Sequence, residues 1–158
     1  MTIYLKFGSV NGPVTTAGFE KWIELHSFQF GVGRGIGTAA RGSSLREASE
    51  PSVSEIVVTK ALDAGSTGLF QDAVGGNLDT KVDIKFTTTT KDKVHTYLHF
   101  ELTDVGLSGW SISSGSDAPS ESLSLNFTKV VISYTGFDPK GTATPLKAGW
   151  DLTKQVKV

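Results

Sequence analysis

The chain has 158 residues, the size of one domain that removes roughly two-thirds of its unfolded surface from water. Hydrophobic residues at 38% and charged residues at 20%, spread along the length, exclude a disordered chain, and no apolar run nears the roughly 20 residues of a membrane helix. Fifteen Lys plus Arg against sixteen Asp plus Glu leave a net charge of -1, which gives no pull toward nucleic acid, and the lack of cysteine excludes disulfides, thiolate metal sites and cysteine nucleophiles.

Met1 to Gly8 alternates from its first residue and reads as a strand. A Sec-type leader would need a basic start and an apolar run of about 7 to 15 residues, and none is expected here. Ile23 and Leu25 share one parity and Phe28 and Phe30 the other, a switch that predicts a bulge or a strand buried on both faces. In Phe28-Gln29-Phe30 the two rings should face the core and carry Gln29 to the opposite side.

Gly31 to Ser52 holds five glycines and four serines and ends before Val53, too little apolar content for a core strand. It is predicted to be a long extended loop that orders against another subunit, with Gly31, Arg34, Gly35, Gly37, Arg41, Leu45 and Arg46 as contact candidates. Val53 to Leu62 reads as a strand. Ser66 is a candidate cap for one short helix that places Leu69, Phe70, Ala73 and Val74 on one face and ends at Gly75-Gly76.

Further strands follow at Val82, Ile84, Phe86, then Leu98, Phe100, Leu102, then Leu123, Leu125, Phe127, with Thr87 to Lys93 as a strand end and turn. Gly109 to Ser122 is predicted as a second loop. Parity switches again between Phe127 and Val130, Ile132, Tyr134, and Trp150 to Val156 completes the set. Many strands, curvature devices and one helix predict a mainly β fold, a closed or nearly closed antiparallel barrel spanning residues 1–158 as one domain.

Motifs for chemistry are weak. His95 and His99 have chelating spacing on a helix, but on a strand a four-residue step spans about 13 Å, so solvated histidines are expected. Gly31-Val-Gly33-Arg-Gly35-Ile-Gly37 lacks the glycine spacing and following helix of a phosphate loop. Ser113-Ser114-Gly115-Ser116 is not a nucleophile elbow. Glu20 with Glu24, and Glu47 with Glu50, lack a sugar platform or an apolar pocket and read as solvated charge. Trp22, Trp110 and Trp150 read as core or interface anchors. No catalytic residue, cofactor or metal site is expected.

Five segments, in order, resemble the Hcp (haemolysin-coregulated protein) family of type VI secretion systems. They are Lys21-Trp-Ile-Glu24-Leu-His-Ser27-Phe28-Gln-Phe30-Gly31; Thr59-Lys60-Ala-Leu-Asp63 with Ser66-Thr67 and Leu69; Tyr97-Leu98 through Asp104-Val105 with Leu107-Ser108; Pro119 through Val130 to Tyr134; and Gly149-Trp150-Asp151-Leu152. The chain departs from the family at Gly12-Pro13-Val14, where many members carry Gly-Glu-Ser, at Gly68 and at Ala73-Val74.

The resemblance implies a two-sheet β-barrel with one helix at its side and a non-enzymatic subunit that closes into a homohexameric ring. Such rings stack into a tube inside a contractile sheath, carry a VgrG spike and are expelled from the bacterial cytoplasm, with effector proteins as cargo in the lumen and Gln29 as a candidate lumen residue. Neither nucleic acid nor membrane insertion is implied. Enzymatic members carry an added C-terminal domain, for which the six residues after Leu152 leave no room. A related phage-like tail-tube protein, which shares the architecture, is the alternative.

Overall fold

The computed structural model describes residues 1–38, 46–137 and 143–158. In chain order the elements are β1 (Thr2–Phe7), β2 (Ile23–Leu25), β3 (Ser27–Gln29), β4 (Val32–Gly33), β5 (Ser52–Val53), β6 (Ile56–Ala61), α1 (Ser66–Gly75), β7 (Thr80–Thr90), β8 (Lys93–Ser113), β9 (Ser120–Asn126), β10 (Lys129–Phe137), β11 (Ala143–Asp151) and β12 (Val156–Lys157).

All pairings are antiparallel. One sheet runs β12-β11-β10-β8-β7-β1-β2, and the other joins β3 to β6, β6 to β9 and β9 to the second half of β8. Two corners connect them. The first is His26, between β2 and β3, whose N–H donates to the Thr59 carbonyl at 2.7 Å. The second lies within the 21-residue β8, which pairs with β10 as far as Thr103 and with β9 from Gly106. Asp104 turns that corner with φ 51°, a left-handed conformation that a short polar side chain tolerates better than a branched one. Following the pairs β8-β7-β1-β2/β3-β6-β9 returns to β8, so the mainly β, two-sheet barrel architecture is met, with β10 to β12 extending the first sheet beyond it.

The core fills the space between the sheets. Leu5, Ile23, Val82, Ile84 and Leu102 from one side meet Ile56, Val58, Leu123 and Leu125 from the other, all fully buried, and Leu69 of α1 closes the flank. Each such side chain contributes about 1.5–3 kcal/mol by leaving water. Phe28 packs 4.8 Å from Phe100 and 5.0 Å from Phe86, ring centre to ring centre, which fixes the inward face of β3. Gly12 is required by close approach, since a Cβ there would sit 2.3 Å from the Trp22 carbonyl oxygen.

Both parity switches mark passages between sheets. Ile23 and Leu25 face the core from the first sheet and Phe28 from the second; Phe127 closes the second sheet before β10 enters the first. The bulge expected at these points is therefore a corner, while the actual register shifts fall at Thr80/Val82, Phe86/Thr87 and Leu107/Gly109.

Other expectations need correcting. The strand expected over Trp150 to Val156 runs instead over Ala143–Asp151, because Asp151 accepts from the N–H groups of Thr153 and Lys154 and turns the chain into β12. The loop expected over Gly109 to Ser122 shrinks to the stretch between β8 and β9, since cross-strand pairs continue out to Ser113 and Ser120. The turn after Thr90 is as expected, with Lys91 at φ 47°.

Helix α1 forms where predicted and ends at Gly76, whose N–H donates to the Asp72 carbonyl at 2.8 Å. Ser66 does not cap it. The side chain is buried, accepts from the Asp63 N–H and donates to Glu121 Oε2 at 2.6 Å. Only half of the predicted face is covered: Leu69 is buried, but Phe70 and Val74 are exposed.

Candidate functional site

The chemistry-bearing surfaces are set by which face of each sheet looks outward. On the second sheet the outward positions fall into cross-strand rows, Ser27-Thr59-Ser122-Ser111 and Gln29-Val57-Ser124-Gly109, with Ala61-Ser120-Ser113 alongside. The wall is made of small, uncharged side chains. Gln29 is exposed on it, and Phe28 and Phe30 pack against the core behind, as the alternation predicts.

The segment after Phe30 is not structureless. Gly31 and Ser54 exchange hydrogen bonds, Val32 and Gly33 of β4 pair with Val53 and Ser52 of β5, and Ile36 bridges to Ala48. Gly37 N–H donates to the Glu47 carbonyl at 2.7 Å and Ser49 N–H to Gly35 at 2.8 Å. The predicted long loop is thus, at its base, a two-stranded arm. Arg34, Gly35, Gly37 and Arg46 are exposed along it, and Arg41 and Leu45 lie outside the described residues.

Between the arm and the extended part of the first sheet runs a groove of about 360 Å³. Phe30, Val32 and Val53 form one wall and Ile132, Ala148 and Trp150 the other, with Arg34 at the rim. Trp150 Nε1 is buried there without a hydrogen-bond partner. Tyr134 and Leu146, paired across β10 and β11, add exposed apolar surface nearby. On the far side of the barrel Phe70 packs edge-on against Trp110 at 5.2 Å, and Val74 and Ile112 extend that second apolar patch.

Two features were not read from the sequence. Lys60 and Glu121 form a fully buried ion pair across β6 and β9. Lys60 Nζ also meets Asp63 Oδ1 at 3.1 Å and the Ser66 hydroxyl at 3.0 Å, while Trp110 Nε1 donates to Glu121 Oε1 at 3.0 Å. The signal was available, because Lys60 continues the inward parity of Ile56 and Val58, and Glu121 that of Leu123 and Leu125.

The second feature concerns His99, which is half-buried rather than solvated. Its Nε2 lies 2.8 Å from Asp83 Oδ1 on the neighbouring strand, and this hydrogen bond, against an opposing push from burial, holds the Asp83 carboxyl below its ordinary 3.8. Glu101 is beside them, with ligand atoms of all three residues within 4.8 Å of one another. Glu20, Glu24, Glu47 and Glu50 are exposed, as expected for solvated charge.

A sequence profile described as "Type VI secretion system effector, Hcp" matches residues 4–134. No curated protein matches the sequence. Among solved structures, one described as a type six secretion system protein is 26% identical, with 99% of each chain covered and a TM-score of 0.86. Hcp1 from Salmonella typhimurium is 21% identical over 99% of this chain and 98% of its own, with a TM-score of 0.76. A type VI secretion system effector from Yersinia pestis is 18% identical over 94% of this chain and 98% of its own, at a TM-score of 0.73.

Proposed function

The chain belongs to the Hcp family of type VI secretion proteins, and from that premise we propose that it is a non-enzymatic tube subunit that closes into a homohexameric ring. The observation that carries this reading is the groove between the arm and β10–β11. A single chain leaves the apolar walls of the groove open and the buried Trp150 indole N–H without a partner, and a monomer gains nothing from that arrangement. A head-to-tail contact that closes by rotation places the same groove against the same neighbouring surface at every step of a ring.

Stacking of rings uses the arm beyond the groove, where Ile36 is exposed. Gln29 and the hydroxyl-rich rows around it line the lumen in this reading, where small uncharged side chains let effector cargo pass without strong attachment. The tube sits within a contractile sheath, bears a VgrG spike and leaves the cytoplasm by sheath contraction. No helix among the described residues is long and apolar enough to cross a membrane.

Negative-stain imaging of purified protein tests the ring, with six-fold annuli expected and a field of single barrels counting against it. For the lumen, Gln29→Arg is expected to leave the ring intact and to lower binding of cationic effectors. Intact rings with unchanged binding across a panel of captured effectors would reject the assignment, and loss of the ring would move Gln29 to a subunit contact.

A further inference from the structure

The outward face of the first sheet carries a cluster that has no part in the contacts proposed above. Asp83 of β7 and Glu101 of β8 are direct cross-strand partners, and His99 lies two residues along β8 on the same face. We propose that Asp83, His99 and Glu101 form a binding site for a divalent transition-metal ion of the zinc class.

The donor set suits such an ion. One imidazole nitrogen and two carboxylate oxygens match the ligands zinc takes, and three protein ligands leave a fourth position for water. Tetrahedral coordination with arms of about 2.0–2.1 Å needs donors about 3.3 Å apart. The three donor atoms already lie within 4.8 Å, and small side-chain rotations on fixed strands close the remainder. The ion takes the place of the hydrogen that now links His99 Nε2 and Asp83 Oδ1.

An independent observation comes from β10. Ser133 is the cross-strand neighbour of His99, only 6% exposed, and its hydroxyl has no hydrogen-bond partner. A buried hydroxyl without a partner is costly. It stands on the same face, on the β10 side of the imidazole, where water held by the bound ion would give it a partner.

Lys85, cross-strand partner of His99, and Lys6, cross-strand partner of Asp83, flank the cluster with their ammonium groups held by other partners. The Lys85 ammonium lies over the Phe19 and Trp22 rings at 5.8 and 5.2 Å, and Lys6 Nζ donates to the Val10 carbonyl at 3.0 Å. Lys81 is exposed, and its charge and that of Lys85 reach Asp83, where they also favour the carboxylate form that binds a cation.

Calorimetric titration of tag-free, metal-stripped protein with zinc tests the site. One ion per chain is expected, with affinity at least tenfold weaker in both His99→Gln and Glu101→Gln and unchanged in His26→Gln, whose side chain is exposed at the β2–β3 corner. Zinc should raise the melting temperature of the wild type and not of the two site variants, each first checked for native circular dichroism without metal. Absence of binding at high micromolar zinc, undiminished affinity in the site variants, or loss of binding in His26→Gln would each overturn the assignment.

Discussion

Lys60 and Glu121 occupy inward positions that hydrophobic residues hold elsewhere on the same strands, and together they tie β6, β9 and the start of α1 into one unit. Removing one partner strands the other charge in the core. Lys60→Met should therefore destabilise the subunit by about 3–5 kcal/mol in chemical denaturation, and the double variant Lys60→Met/Glu121→Gln by less than the sum of the singles. Equal additive losses would mean the two charges are not coupled. Asp72 presents the opposite case: burial pushes its carboxyl above 3.8 against a backbone hydrogen bond from Leu107, with Asp79 adding repulsion. A carboxyl raised in the folded state binds protons more tightly there than when unfolded, so stability falls as pH rises from about 3.8 through the raised value. Asp72→Asn escapes that loss. Its melting temperature relative to wild type should be higher at pH 7 than at pH 4, and parallel profiles would contradict the reading.

At the scale of elements, the proposed ring assigns folding to the barrel and assembly to the arm and the groove beside it. Val32 is exposed on the arm and contributes little to the isolated barrel, so Val32→Asp should change subunit stability by no more than about 0.5 kcal/mol while preventing ring formation. Deleting residues 37–44 should likewise leave the barrel's circular dichroism and melting intact but abolish tubes in electron micrographs; an unfolded product would place that segment in the core. Strands with strict alternation, such as β7 and β9, were legible because one face meets the core and the other water. The arm was not, because its ladder is held by backbone and serine hydrogen bonds between exposed residues, which leave no apolar period to read. The corners at His26 and after Phe127 were legible as parity switches, but a switch alone does not distinguish a bulge from a change of sheet. Trp150 and its neighbours were misplaced by a few residues for a related reason: β11 is exposed over most of its length, so its alternation carries little signal.

For the whole molecule, the mainly β architecture with one helix followed from pattern, whereas the family and the tube role came from ordered segments that no periodicity explains. The candidate surfaces were half legible. Gln29 lies on the outward face that parity gives it, and parity marks Lys60 and Glu121 as inward, but their pairing and the Asp83–His99–Glu101 cluster arise from cross-strand register, which a single sequence does not display. With a net charge of -1, and with the apolar groove as the principal contact of the proposed ring, that ring should withstand moderate salt. Size-exclusion chromatography with light scattering at micromolar concentration in physiological salt tests the central claim most directly: the account predicts a mass of six chains that persists when salt is raised severalfold, and a single-chain mass across that range would contradict it.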